Sequence, residues 1–238
     1  MALTINWARF GAVLFDLDGV VTPTAEIHKR AWAALFARWD FTDDDYLAYV
    51  DGRPRYDGVA TFLAARGVDL PWGDPDDPPG DSTVCALGNR KDEMFNQALD
   101  EVGISPFPGT MGVVAELERA SVGMAIVSSS RNARSVLAAA DLSERFPVVV
   151  DGVVAAAEQL AGKPDPAMFL TAAAQLGVEP DRCVVIEDAS SGAAAGAAGG
   201  FALVIGIDRG GNRTALLDAG ADLVVDDLGE TMKPGRAG

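Results

Sequence analysis

From about residue 108 onward, short apolar runs alternate with helix-length stretches, and few folds accept that rhythm. Met124-Ala125-Ile126-Val127, Val148-Val149-Val150, Cys183-Val184-Val185-Ile186, the run 201–207 and Leu223-Val224-Val225 read as buried strands. Between them helical patterns fall at 112–119, around Val136 and Leu137, at 167–176, in a small-residue segment after Ala189, and near Leu216. Strands that alternate with helices form a parallel sheet covered on both faces. Val13-Leu14-Phe15 has the same apolar character and joins that sheet. The predicted class is α/β.

From about residue 31 to residue 103 the pattern is helical, with no convincing strand. Ile27, Ala31, Ala34, Leu35 and Trp39 share one helical face, with Thr22 or Thr24 as the candidate cap. Tyr46, Leu47 and Val50 form a second apolar face; Val59, Phe62 and Leu63 a third; Phe95, Ala98, Leu99 and Val102 a fourth. Segment 71–81 is dense in Pro, Gly and Asp, and is expected to be a mobile surface loop. The helical block is therefore an insertion into an α/β core, and residues 233–238 read as a frayed tail.

In an open parallel sheet, ligands gather at the carboxyl ends of the strands. The first strand stops at Asp16-Leu17-Asp18-Gly19, whose alternate side chains leave the sheet edge together. Two adjacent carboxylates want a cation or a shared proton, although Asp and Gly also simply start turns. Another strand ends at Ser128, followed by Ser129, Ser130, Arg131 and Asn132, a pattern fit either to hold a phosphoryl oxygen or to cap a helix. Glu187-Asp188 ends a third strand and offers hard oxygen ligands suited to Mg2+. Lys163, before Pro164, brings one cation towards these acids, and His28 taken alone reads as an ordinary helix residue.

A net charge of −16 argues against nucleic acid and anionic membrane surfaces as partners. If the substrate is a phosphate, a few basic side chains must reverse that field locally. Segment 189–207 carries no charge, yet its Ala, Gly and Ser content and Gly199-Gly200 fit a helix, a turn and a strand better than a membrane span. Cys85 and Cys183 are too few for a disulfide framework, and no secretory signal is visible, so a cytoplasmic protein is expected.

Asp16-x-Asp18-Gly19, Ser128, Lys163-Pro164 and Glu187-Asp188 resemble, in order, the four motifs of the haloacid dehalogenase superfamily. Within it, the stretch from Asp16 through Thr24 to His28 is similar to the β-phosphoglucomutase subfamily, as are Gly52-Arg53-Pro54-Arg55 and Asn89-Arg90-Lys91-Asp92. The resemblance implies a Rossmann-like core, residues 1–28 and 105–238, with an inserted α-helical cap, residues 29–104. It implies Asp16 as nucleophile, Asp18 as acid and base, and Thr24 and His28 at the hinge, with Ser128 and Lys163 stabilising the transferring phosphoryl group. Mg2+ is implied on Asp16, Asp18 (through its backbone carbonyl) and Asp188, with Glu187 assisting. Arg55, with Arg53 as the alternate, Lys91, Ser129, Ser130, Arg131 and Asn132 are implied in substrate binding. The implied reaction takes β-D-glucose 1-phosphate to glucose 6-phosphate through the 1,6-bisphosphate; the rivals are a sugar-phosphate phosphatase and a non-catalytic sugar-phosphate binder. A small sugar phosphate is the expected partner, and a monomer the expected state. Two departures from the family pattern stand out: Pro23 replaces a commonly acidic residue, and the acidic loop lengthens the cap.

Overall fold

The computed structural model describes residues 4–232, so the expected tail at 233–238 lies outside the described residues. β1 (Ala12–Phe15) opens the core. The chain then enters a helical block: α1 (Thr24–Phe36), the single turn α2 (Asp43–Asp45), α3 (Arg55–Ala65) and α4 (Val84–Val102). Next come α5 (Pro108–Arg119), β2 (Gly123–Val127), α6 (Ala133–Ala139), β3 (Val148–Val150), α7 (Gly152–Ala157), α8 (Ala167–Leu176) and β4 (Cys183–Glu187). α9 (Ser190–Ala198), β5 (Leu203–Ile207), α10 (Arg213–Asp218) and β6 (Leu223–Val225) finish the alternation.

The six strands form one parallel sheet in the order β3-β2-β1-β4-β5-β6. Strand alternation divides its side chains between two apolar layers. Val13 and Phe15 of β1, with Val184 and Ile186 of β4, pack into the layer that holds Val113 and Leu117 of α5. Ala12, Leu14, Cys183 and Val185 face the opposite layer with Phe169 and Ala172 of α8. β1 and β4 are buried along their whole length, which explains why they read as unbroken apolar runs. Because β1 lies beside both β2 and β4, Asp16, Ser128 and Glu187 emerge at one edge.

The helical block has its own apolar cluster around Phe36 and Phe62, whose ring centroids are 4.1 Å apart. Burying such a ring contributes about 1.5–3 kcal/mol relative to leaving it exposed. Three expectations need correction here. On α1, Ile27, Ala31 and Leu35 are buried as expected, but Ala34 is exposed and Trp39 lies past the helix end, and the buried face widens to take in Trp32 and Phe36. Of Tyr46, Leu47 and Val50, only Tyr46 and Val50 pack into the apolar cluster of the insertion: the segment Tyr46–Val50 is wound as a π-turn and leaves Leu47 53% exposed. Neither Thr22 nor Thr24 caps α1; their hydroxyls bond each other instead. The acidic loop 71–81 is mostly exposed and forms no helix or strand, as expected; Asn89 Nδ2 donates to the carbonyls of Pro75 and Asp77, and Asp77 accepts from Thr83 at 2.6 Å. The side chain of Val102 lies outside the described residues.

Segment 189–207 is a short helix and a strand, as its composition suggested. Among the described residues, no helix is long and apolar enough to cross a membrane. Both cysteines are free and buried.

Candidate active site

Lys163 is the hub of the sheet edge. Its ammonium donates to Asp16 Oδ1 at 2.6 Å, to Glu187 Oε1 at 2.5 Å and to the Val127 carbonyl at 2.9 Å. Burial alone would lower this lysine, but the two carboxylates outweigh it and raise it above the ordinary range. Glu187 Oε2 accepts from the backbone N–H groups of Asp188 and Ala189, so that side chain is committed to shaping the loop after β4.

Asp16, Glu187 and Asp188 each place a carboxylate oxygen within 4.8 Å of the others. Burial, then the neighbouring Asp51, Asp16 and Glu187, pushes the Asp188 carboxyl well above its usual range. Asp16 is pushed the same way by burial, against the pull of Lys163. Asp51 rises to about 7 through burial and the charge of Glu187. A buried surplus of carboxylate that one ammonium cannot neutralise, with hard oxygen donors converging, fits a divalent cation such as Mg2+. Gly19 leaves the room: at φ +93°, a Cβ there would lie 1.7 Å from Asp188 Oδ2.

Asp18 lies outside that trio and makes its own bonds. Its Oδ1 accepts from Thr24 Oγ1 at 2.5 Å and lies 3.4 Å from His28 Nε2, while Ser128 Oγ reaches Oδ2 at 3.3 Å. Burial pushes this carboxyl up, but His28, Thr24 and Lys91 more than offset it and hold it at about 2. His28 stacks on Phe95 with centroids 3.9 Å apart, and its Nδ1 meets the Lys91 ammonium. Lys91 is buried over Trp32 and Phe95, and burial, with Arg55, brings it down to about 7 against the pull of Asp18.

The insertion closes over this edge through side-chain contacts. Ser129 Oγ donates to the Gly52 carbonyl at 2.8 Å, and Ser191 Oγ to the Asp51 carbonyl at 3.2 Å. Arg55 Nη1 lies 3.1 Å from Asp92 Oδ2, and Asn132 Nδ2 donates to Asp92 Oδ1 at 2.6 Å. Between the two parts is an inner cavity of about 70 Å³. Every residue singled out in the sequence lines it except Thr24 and Lys163, which sit behind the wall and bond to Asp18 and Asp16. Arg53, the alternate to Arg55, lines it too. Ser130 lines the cavity while its Oγ accepts from Asn132 N at 3.1 Å.

A family model described as haloacid dehalogenase-like hydrolase matches residues 10–200. The chain belongs to the haloacid dehalogenase-like hydrolases. It is 45% identical to the β-phosphoglucomutase of Mycobacterium bovis, over 93% of this chain and 91% of that protein. It is 28% identical to hexitol phosphatase A of Escherichia coli, over 81% of each chain. In structure it resembles a β-phosphoglucomutase of Clostridium difficile, with a TM-score of 0.76 and 26% identity, covering 93% of this chain and 92% of that one. The inserted helices thus correspond to the α-helical cap of this haloacid dehalogenase fold. Asp51, Tyr46 and Asp92 also line its inner cavity and were not singled out as site residues in the sequence. Asp51 directly precedes Gly52-Arg53-Pro54-Arg55 and Asp92 closes Asn89-Arg90-Lys91-Asp92, but no local pattern tells which neighbour of an Arg or Lys faces inward.

Proposed function

We propose that this chain is a Mg2+-dependent phosphomutase that converts β-D-glucose 1-phosphate to glucose 6-phosphate through the 1,6-bisphosphate. The core would comprise residues 1–28 and 105–238, and the cap residues 29–104. One observation carries the reading: a single cavity is faced from the sheet edge by Asp16 with Lys163 behind it, and from the cap by Arg55 beside Asn132. A mutase needs two such ends, because its bisphosphate must be held by one phosphate while the other reacts.

Asp16 attacks the phosphorus of a phosphate-ester donor, whose bond from phosphorus to the ester oxygen breaks as the carboxylate becomes an aspartyl phosphate and the dephosphorylated donor departs. Asp18, ionised in this arrangement, takes the proton of the sugar hydroxyl that next attacks that phosphoryl group. After the bisphosphate turns around, the same proton returns to the oxygen that leaves phosphorus as Asp16 is rephosphorylated. Thr24 and His28 hold Asp18 in place for both transfers. Ser128 faces the transferring group as a preorganised donor, Lys163 supplies its positive charge from behind Asp16, and the Ser128–Asn132 turn supplies backbone N–H groups. Asp16, Asp188 and the Asp18 carbonyl would hold Mg2+, with Glu187 assisting; the ion supplies charge neutralisation for the phosphoryl oxygens. Lys91, Arg55 and Arg131 give the local positive field that a chain of charge −16 needs for a phosphorylated sugar, and Asn132 adds a neutral N–H donor.

A phosphatase, in which water takes the phosphoryl group from Asp16, uses the same core, and likeness to a hexitol phosphatase favours it as the second reading. A non-catalytic binder is disfavoured by the intact set of Asp16, Asp18, Ser128, Lys163 and Asp188. The test is incubation with Mg2+ and β-glucose 1-phosphate plus a trace of the bisphosphate. Glucose 6-phosphate supports the mutase, and free phosphate in its place the phosphatase.

A further inference from the structure

Asp92 follows Lys91 on α4, and its two oxygens join the cap to the core. Oδ2 lies 3.1 Å from Arg55 Nη1 on the cap, and Oδ1 accepts from Asn132 Nδ2 on the core at 2.6 Å. Both partners are among the groups proposed above to grip the distal phosphate. Beyond this bridge lies an outer cavity of about 440 Å³, which Arg55, Asp92, Arg131 and Asn132 line as they line the inner one. The Arg55–Asp92–Asn132 bridge is thus part of the wall between a small reaction chamber and a larger vestibule.

We infer that Asp92 is a built-in competitor for the distal anion, whose carboxylate fills the seat between Arg55 and Asn132 until a second phosphate displaces it. A carboxylate and a phosphate offer equivalent oxygens to a guanidinium fork and an amide N–H. Two anions cannot share the seat, because like charges at that spacing repel. The second phosphate therefore drives Asp92 out towards the vestibule, where water takes over its charge. A ligand with one phosphate, held at Asp16 alone, leaves the bridge intact. Asp92 is on this account a specificity-determining positioning residue: it lowers affinity for any distal group too weakly charged to displace it. The inference rests on the two-anion reading of the site.

The test is calorimetry with Mg2+ present, on Asp16→Asn protein so that nothing turns over. Glucose 1,6-bisphosphate and inorganic phosphate are titrated in turn, with Asp92 intact and with Asp92→Asn added. Removing the competing charge is expected to tighten the bisphosphate about tenfold more than it tightens inorganic phosphate. Asp92→Ala, which also deletes the acceptor of the Asn132 bond, is expected to move the same way. Weaker bisphosphate binding in Asp92→Asn would overturn the inference, because Asp92 would then be orienting Arg55 for the ligand. Equal shifts for both ligands would overturn it too. If the bisphosphate binds no tighter than inorganic phosphate with Asp92 present or replaced, the two-anion reading itself fails and takes the inference with it.

Discussion

The ammonium of Lys163 lies 2.6 Å from Asp16 Oδ1, and both side chains are buried. Without that cation, Asp16 and Glu187 would be left as unpaired carboxylates in a low-dielectric pocket. Breaking a buried pair from one side costs about 3–5 kcal/mol. Lys163→Met is therefore expected to lose stability of that order in urea unfolding without added metal, and to lose nearly all phosphoryl transfer. A change below about 1 kcal/mol would mean that the pair is not what holds the sheet edge together.

Gly19 and Asp188 are matched in a different way. Any side chain at Gly19 meets both a φ of +93° and the Asp188 carboxylate, which a Cβ would approach to 1.7 Å. Gly19→Ala must push Asp188 aside, and disturbing a neighbour that orients a group proposed to hold the metal weakens binding about 10- to 100-fold. The Mg2+ concentration at half-maximal activity is expected to rise by that factor. An unchanged Mg2+ dependence would remove Asp188 from the proposed ion site.

Lys91 makes stability depend on pH with a definite sign. Burial lowers it from 10.5 to about 7 in the folded chain. Between those values the unfolded chain holds a proton that the native state has released, so stability rises with pH across the window. The full effect is up to roughly 4–5 kcal/mol. Lys91→Met is expected to remove this rise and to be the more stable protein below pH 7. Urea midpoints of the two proteins from pH 6 to 9 check it; parallel curves would refute it.

Arg55 separates the two readings of the site. Arg55→Ala is expected to cut mutase turnover at least tenfold more than hydrolysis of acetyl phosphate, because only the bisphosphate needs a distal grip. Equal losses in the two assays would argue for a plain phosphatase.

How much of this was legible in the sequence depended on how local the cause was. β1 and β4 read clearly because a parallel strand buried on both faces is a continuous apolar run. Asp16, Asp18, Ser128 and Glu187 followed from the rule that such strands deliver their last residues to one edge. The cap read less well. A helical period marks Ile27, Ala31 and Leu35 as one face but does not say how wide that face is; packing of Phe36 on Phe62 and of Trp32 on Phe36 extends it, while Ala34 is left exposed. The helix α7 was passed over although Asp151 Oδ1 caps it at Val153 N and Val154 N, a signal present in Asp151-Gly152. The inward turn of Asp51 and Asp92 comes from cap-to-core contacts, across more than a hundred residues for Ser191 with Asp51 and across about forty for Asn132 with Asp92. No local pattern encodes those.

The account depends on a phosphoryl group passing through Asp16. The most direct measurement is to mix the protein with Mg2+ and glucose 1,6-bisphosphate, quench in acid within the first turnovers, and map phosphate by peptide mass spectrometry. The account predicts acid-stable, base-labile phosphate on the peptide that carries Asp16, and none in Asp16→Asn. Phosphate on any other residue, or full turnover in Asp16→Asn, would contradict it.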